Sequence, residues 1–186
     1  LSYYPDPEAK LNYYIGWDPA ISPDRRADYT CMVVIGMDEN RHKRVIHVHH
    51  EKNMDFNQQI NKIIELNARF NPIIIELETN NFAVAFSQVL QEISDLPIKP
   101  FNMSRMKKEA LLHTLQLHFE QKHLIIPYKD EGATRRHMNA LLTELSFFTM
   151  MDNGKMESLG AHDDMVIALA LSVQATKEYR ENIVIL

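Results

Sequence analysis

The sequence predicts an α/β fold in which a mixed sheet carries helices on both faces. Three strand-like segments follow one another between residues 11 and 51, with short turns or loops between them. The segment NPIIIELE at residues 71–78 is nearly all apolar, which is typical of a parallel strand buried on both faces. Beyond it, helical and strand patterns alternate to the end of the chain, and this alternation favours a sheet covered by helices.

The first three segments predict an antiparallel meander. Residues 11–18 (LNYYIGWD) and 29–38 (YTCMVVIGMD) are rich in aromatic and β-branched side chains. The polar turn DENR separates the second segment from residues 43–51 (KRVIHVHHE), where apolar and polar side chains alternate. Strands joined by such short connections pair side by side.

A helix is predicted between the meander and the buried strand. Over residues 54–70, Phe56, Ile60, Ile63 and Ile64 recur at helical spacing, and Asp55 precedes them as a plausible N-cap. The later pattern predicts helices at residues 82–93, 104–122, 134–145 and 163–179, short strands at 98–101 and 124–126, and a small hairpin of 147–152 with 155–156 across Asn153-Gly154.

Length and composition predict one globular domain. The chain has 186 residues, of which 45% are hydrophobic and 24% are charged. No apolar run approaches the roughly 20 residues that cross a bilayer, so no membrane association is expected. The single cysteine, Cys31, excludes an internal disulfide. Residues 1–10 are interpreted as a residual linker and residues 11–186 as the domain, because the chain does not begin with Met and fits a fragment of a longer protein.

The charge balance argues against a protein that coats nucleic acid by bulk attraction. The formal net charge is −5, whereas such proteins are basic. A nucleic-acid enzyme remains compatible with this charge. A site that gathers metal ions needs a local surplus of carboxylates, and the bound cations then reverse the local sign.

Acidic residues stand at the ends of several predicted elements. Asp18 ends the first strand and Glu78 ends the fourth, so parallel neighbouring strands would bring them to one rim of the sheet. Glu76 lies two residues before Glu78 and faces the same side. Asp163 and Asp164 open the last helix, where the helix dipole favours negative charge.

Two interpretations of these acids are open. Taken singly, each is more often a structural cap than a functional group. Together they would repel one another unless a cation lay among them. Oxygen-only ligands suit Mg²⁺ or Mn²⁺, and two such ions can activate water and stabilise the leaving oxygen of a phosphodiester.

The ordered set of motifs resembles the nuclease domain of the large terminase subunit of tailed bacteriophages, within the ribonuclease H-like superfamily. The matching pieces run in family order over nearly the whole chain from residue 11. They are GWDPA (16–20), ADYT (27–30), IIIELETNNFAVAF (73–86), KKEALLHTLQLHFEQKHLIIP (107–127), LLTELSFF (141–148) and HDDMVIALALS (162–172). Ala83 stands where the family often has Gly.

The resemblance implies the site residues and the activity. It implies catalytic, metal-binding roles for Asp18, Glu78 and Asp164, with Asp163 as a further ligand and Glu76 as a possible accessory. The implied reaction is two-metal-ion hydrolysis, with Mg²⁺ or Mn²⁺, of concatemeric double-stranded viral DNA during genome packaging. The implied partners are an ATPase domain, the small terminase subunit and the portal, in the cytoplasm of an infected bacterial host. No Walker-type GxxxxGK[ST] motif occurs in this chain.

Short basic groups are candidates for contact with the DNA backbone. Arg25 and Arg26 follow the first acid in the loop after the first strand, and that loop is equally well a solvated tip. Arg105, Lys107 and Lys108 open a predicted helix. Arg135 and Arg136 form another basic pair, for which a solvated helix face is favoured slightly.

The histidines give a weaker signal. His42, His47, His49 and His50 are close in sequence, but His47 and His49 fall on one strand face and His50 on the other, with no cysteine or carboxylate spacing that supports zinc. His162 adjoins the acids and is a candidate proton carrier or phosphate contact, with capping as an equal alternative.

Two rival functions remain open from the sequence. One is another nuclease of the same superfamily, of the junction-resolvase or transposase type. The other is a non-catalytic docking module that keeps the fold. Cleavage of branched against linear duplexes separates the first rival, and titration with Mn²⁺ separates the second.

Overall fold

The computed structural model describes most of the chain. The described residues are 10–20, 29–79, 88, 90, 92, 95–127, 133–150, 156–158 and 162–177. Four helices and eight strands have assigned bounds within them. The strands are β1 (Asn12–Asp18), β2 (Tyr29–Met37), β3 (Lys43–Lys52), β4 (Ile74–Thr79), β5 (Ile98–Asn102), β6 (Leu124–Ile125), β7 (Phe148–Met150) and β8 (Met156–Ser158). The helices are α1 (Phe56–Phe70), α2 (Arg105–Glu120), α3 (Ala133–Ser146) and α4 (Asp164–Ala175).

Six of the strands form one mixed sheet in the order β5-β4-β1-β2-β3-β6. β1 pairs antiparallel with β2, and β2 pairs antiparallel with β3, as the meander prediction required. β4 joins the other side of β1 in parallel, and β5 extends the sheet in parallel beyond β4. The predicted α/β mixed sheet with helices is confirmed.

The element predictions also hold in most details. Asp55 caps α1 through a capping box with Gln58, in which each side chain accepts from the other residue's backbone N–H. The small hairpin is present as β7 and β8, although its Asn153-Gly154 turn lies outside the described residues. For the helix predicted at 82–93, only residues 88, 90 and 92 are described, and they are helical.

Two apolar cores lie on the two faces of the sheet. Alternate residues of β1, β2 and β4 pack with α1 on one face, and Trp17 is fully buried there. The other face packs against α4, with α2 and α3 outside it. Nearly every residue of α4 from Met165 to Ala175 is buried, so this helix forms the centre of the second core. Within the described residues, no helix is both long enough and apolar enough to cross a bilayer.

Gly16 allows α4 to lie directly on β1. A Cβ atom at this position would stand 1.9 Å from the carbonyl oxygen of Ala168 and 2.4 Å from the backbone nitrogen of Ser172. Both distances are far below any van der Waals contact, so only glycine permits this approach. The contact fixes α4 against the strand that ends, two residues later, at Asp18.

Candidate active site

Asp18 and Glu78 lie side by side at the carboxyl ends of two parallel strands. The register pairs Gly16 with Glu76 and Trp17 with Leu77, so the next residues along β1 and β4 are neighbours. The two carboxyl groups are close enough that the negative charge of Glu78 raises the pKa of Asp18.

The surroundings of Asp18 disfavour its charged form. Burial raises the pKa of Asp18 well above its ordinary value, and the negative charges of Glu78, Asp164 and Asp163 raise it further. The cation of Lys108 acts in the opposite direction. The Asp18 side chain is half-buried.

Glu78 responds to the same group of charges. Burial raises its pKa, as do the negative charges of Asp163 and Asp164, while the cation of Lys108 lowers it. Asp18, Glu78, Asp163 and Asp164 are called the acidic cluster below. Its members come from three separate elements, β1, β4 and the start of α4, and they meet at one rim of the sheet.

Two basic side chains contact the acids at the start of α4. The Nζ of Lys108 donates to the Oδ2 of Asp163 at 2.6 Å, across 55 residues of sequence. The Nδ1 of His162 lies 3.8 Å from the Oδ2 of Asp164. Lys108 was a candidate DNA contact from the sequence, and the structure brings it into the acidic cluster as a counter-ion.

The donor atoms of the acidic cluster fit a hard divalent cation. All are carboxylate oxygens, the ligands that Mg²⁺ and Mn²⁺ prefer, and their mutual repulsion is the electrostatic condition that a bound cation would relieve. As the side chains stand, no three acidic, histidine or cysteine groups of the described residues form a finished ligand set. Asp163 is engaged by Lys108, so ligation by Asp163 requires this contact to exchange.

Glu76 lies outside the acidic cluster. Its side chain is 1% exposed, and its Oε1 is 4.0 Å from the Nζ of Lys99. Burial raises its pKa to about 7, with Lys99 and Lys177 partly opposing the shift. Lys99 belongs to the neighbouring strand β5, and Lys177 follows the C-terminal end of α4, opposite to the end that carries Asp163 and Asp164. The structure therefore does not place Glu76 within the acidic cluster, and the possible accessory role of Glu76 stays a prediction.

The raised pKa of Glu76 predicts a loss of folding stability at high pH, which the substitution Glu76→Gln should remove. The folded chain binds a proton at Glu76 more tightly than the unfolded chain does, so wild-type stability at this group falls as the pH rises from about 4.5 through about 7. The neutral amide imitates the protonated acid. Its advantage in unfolding free energy should reach at most about 3 kcal/mol near pH 8 and vanish near pH 4.5. Urea unfolding of both proteins at several pH values measures this difference, and an equal difference at every pH would refute the assignment.

The remaining basic candidates are only partly described. Arg105 pairs with Glu109 at 3.4 Å on the surface of α2, and Lys107 holds its ammonium 5.7 Å from the centre of the Phe101 ring. Arg25 and Arg26 lie outside the described residues. The same is true of the Arg135 side chain, whereas Arg136 is exposed on α3.

The clustered histidines of β3 and of the turn before it make separate contacts. His42 is 3.6 Å from Asp38, His49 contacts the sulfur of Met54 at 3.2 Å, and His47 packs near Phe70. His50 stacks on Tyr29, with 4.2 Å between ring centres, and the edge of His162 meets the same tyrosine. Among the described residues these histidines do not assemble into a set of three possible metal ligands.

Sequence reasoning missed Glu144 of α3. This side chain is 7% exposed, and its Oε1 accepts a hydrogen bond of 2.9 Å from the backbone N–H of Val166 in the first turn of α4. The available signal was its position: Glu144 falls between Leu141 and Leu145, on the apolar face of the helix. A buried acid on such a face needs a partner, and the partner is the helix that carries Asp164.

Comparison with protein families gives a match over most of the chain. The family model described as the terminase RNase H-like domain matches residues 15–175. A comparison with curated protein sequences finds no match.

Solved structures share the fold. The large terminase nuclease from thermophilic phage G20c with bound magnesium is 22% identical, with a TM-score of 0.66 over 92% of this chain and 83% of that one. The nuclease domain of the large terminase subunit gp2 of bacterial virus Sf6 is 13% identical, with a TM-score of 0.61 over 89% of each chain. The HK97 bacteriophage large terminase is 14% identical, with a TM-score of 0.62 over 89% of this chain but 40% of that one.

Proposed function

Because the chain belongs to the family of terminase RNase H-like domains, we propose that it is a metal-dependent endonuclease that cuts concatemeric double-stranded viral DNA during genome packaging. The observation that carries the proposal is the meeting of four carboxylates from three elements at one rim of the sheet. Such a rim is where ligands bind in open α/β sheets.

Each member of the acidic cluster has a proposed role at the reacting phosphate. Asp18, Glu78 and Asp164 would hold two Mg²⁺ or Mn²⁺ ions, and Asp163 would act as a further ligand once Lys108 releases it. When bound, the ions would supply activation of water and stabilisation of charge on the phosphate. In the relatives from phage G20c, bound magnesium, cobalt and zinc are present, and one structure of the Sf6 domain contains manganese, which supports divalent metal at this kind of site.

The chain's own residues would provide position and local charge. His162, half exposed beside Asp164, is placed to contact a phosphate or to exchange a proton. Lys107 stands next to Lys108 at the start of α2 and would contact the DNA backbone, together with Arg105, Arg25 and Arg26. The negative net charge implies that few phosphates are neutralised at once. Binding should therefore be weak, nonspecific in sequence and of shallow salt dependence, at about −0.9 in log K per phosphate contacted.

The other parts of the packaging machine are proposed from the family alone. An ATPase domain, the small terminase subunit and the portal would supply specificity and tight holding of DNA, in the cytoplasm of the infected bacterium. Residues 11–186 would then form a single nuclease domain, preceded by a linker at residues 1–10.

Supercoiled plasmid is the substrate that tests the activity. With Mn²⁺ or Mg²⁺ the chain should nick and then linearise the plasmid slowly, and EDTA should stop the reaction. Linear duplex should be cut at least as fast as a four-way junction, since a resolvase would favour the junction. Cleavage in EDTA, or strict preference for the junction, would exclude the proposed activity.

Metal should also stabilise the folded chain. A cation that binds the folded acidic cluster and not the unfolded chain raises stability by mass action, about 2.7 kcal/mol at a concentration 100 times the dissociation constant. Thermal melting with EDTA and with Mn²⁺ measures the shift. We expect a higher Tm with Mn²⁺, and a smaller rise in Asp164→Asn. A Tm that does not respond to Mn²⁺ would favour the non-catalytic docking module.

A further inference from the structure

The first turn of α4 lacks the usual cap from its own N-cap residue. An α-helix begins with backbone N–H groups that have no partner within the helix, and an Asp at the N-cap ordinarily accepts from one of them. Asp163 occupies the N-cap position, yet its side chain forms no capping hydrogen bond. Its Oδ2 is bonded instead to the Nζ of Lys108 at 2.6 Å.

Glu144 supplies the missing acceptor from a different helix. Its Oε1 accepts from the backbone N–H of Val166 at 2.9 Å, and the backbone N–H of Met165 is a second donor to the same carboxyl group. The side chain that caps α4 therefore belongs to α3 and not to α4 itself. Glu144 is 7% exposed and lies on the same helix face as Leu141.

This position is costly for an acid, which argues against an incidental contact. Burial raises the pKa of Glu144 to about 7 even though two N–H donors favour its charged form, and Asp164 and Asp163 add repulsion. If the side chain at position 144 only packed against α4, a neutral side chain would be more stable there than a buried acid. The contact instead fixes the backbone that carries two members of the acidic cluster.

We propose that Glu144 is a positioning residue, which holds the first turn of α4 by its backbone N–H groups and so leaves the carboxylates of Asp163 and Asp164 available to ligate metal with Asp18 and Glu78. The inference rests on the proposed function, because it assigns Glu144 to the geometry of the metal site. If Asp163 or Asp164 had to cap the helix, its carboxylate would turn towards the helix axis and away from β1 and β4.

Calorimetric titration with Mn²⁺ tests the proposal, because it measures the dissociation constant for the metal independently of DNA cleavage. Glu144→Met keeps the approximate volume and removes the acceptor, so the dissociation constant for Mn²⁺ should rise on the order of tenfold or more, as it does when groups that orient metal ligands are lost. Glu144→Gln keeps an oxygen that accepts from Val166, so its affinity should stay close to that of the wild type. Titrations run below the melting transition of each protein.

The matched control is Asn71→Ala, at the C-terminal end of α1. Asn71 adopts a left-handed conformation with φ of 47°, where Ala is strained, so this variant also loses stability at a helix terminus. It lies on the opposite face of the sheet and at the opposite end of β4 from Glu78. Its Tm should fall while its affinity for Mn²⁺ stays unchanged, which separates positioning of the site from loss of stability in general.

The outcomes are distinguishable from failure of the proposed function. If the wild type binds Mn²⁺ and Glu144→Met binds it equally well, Glu144 is only a structural cap and the inference is overturned while the function stands. If the wild type binds no Mn²⁺, function and inference fall together. Should Glu144→Met not fold, Glu144→Asp decides: it keeps the charge but retracts the carboxylate, so its dissociation constant must rise several-fold, and an unchanged constant overturns the inference.

Discussion

Replacing Asp18 with Asn is expected to abolish DNA cleavage and leave the fold intact. The amide has nearly the shape of the acid but lacks its charge, so it is a poor ligand for Mg²⁺ or Mn²⁺. Loss of one group that stabilises developing charge typically lowers the rate on the order of a hundredfold to a thousandfold. Removing a negative charge from a repulsive cluster should also raise the Tm of the metal-free protein. Plasmid nicking rates with Mn²⁺, together with melting curves in EDTA, measure both effects.

Glu76→Gln is the matched control for this variant. Glu76 lies on β4 beside Gly16, two residues before Glu78 and on the same face, so the change is similar in chemistry and close in position. The carboxyl group of Glu76 interacts with Lys99 and Lys177 and not with the acidic cluster. The Glu76→Gln variant should therefore cleave DNA at close to the wild-type rate. Wild-type nicking by Asp18→Asn, or a loss in Glu76→Gln as deep as the loss in Asp18→Asn, would mean that the acids have been assigned wrongly.

Gly16→Ala should prevent stable folding. The added Cβ would meet two backbone atoms of α4, at 1.9 Å and 2.4 Å, and also the Cβ of Leu171 at 2.9 Å. Backbone atoms cannot rotate away, so α4 would have to leave β1, and overpacking of this severity costs at least about 3 kcal/mol. Circular dichroism and urea unfolding should show a largely unfolded or strongly destabilised chain.

Gly36→Ala provides the comparison for Gly16→Ala. Its new Cβ would meet Leu11 Cδ1 at 2.7 Å and Ile46 Cγ1 at 3.3 Å, both of which belong to side chains that can move. The loss of stability should therefore be smaller than at Gly16. Equal stability of the two variants would show that the close approach of α4 to β1 is not a constraint on the fold.

The parts of the fold that the sequence predicted are those with local patterns. Alternation and apolar runs identified β1 to β4, and the capping signal of Asp55 located the start of α1 within a residue. Parallel pairing of β1 with β4 then placed Asp18 beside Glu78, since equal registers bring strand ends together. Each of these inferences needs only side-chain periodicity and chain connectivity.

The contacts that escaped prediction join residues far apart in the chain. β6 has two residues and pairs with the edge of β3, a place that its sequence does not specify. The bond of Lys108 to Asp163 and the cap that Glu144 gives to α4 depend on how two helices pack, which local patterns do not encode.

The most direct measurement of the central claim is anomalous diffraction from a crystal of the chain soaked in Mn²⁺. The account predicts anomalous density bounded by the carboxylates of Asp18, Glu78 and Asp164, with the Nζ of Lys108 displaced from Asp163. Absence of density among these carboxylates at saturating Mn²⁺, or density only at other residues, would contradict it.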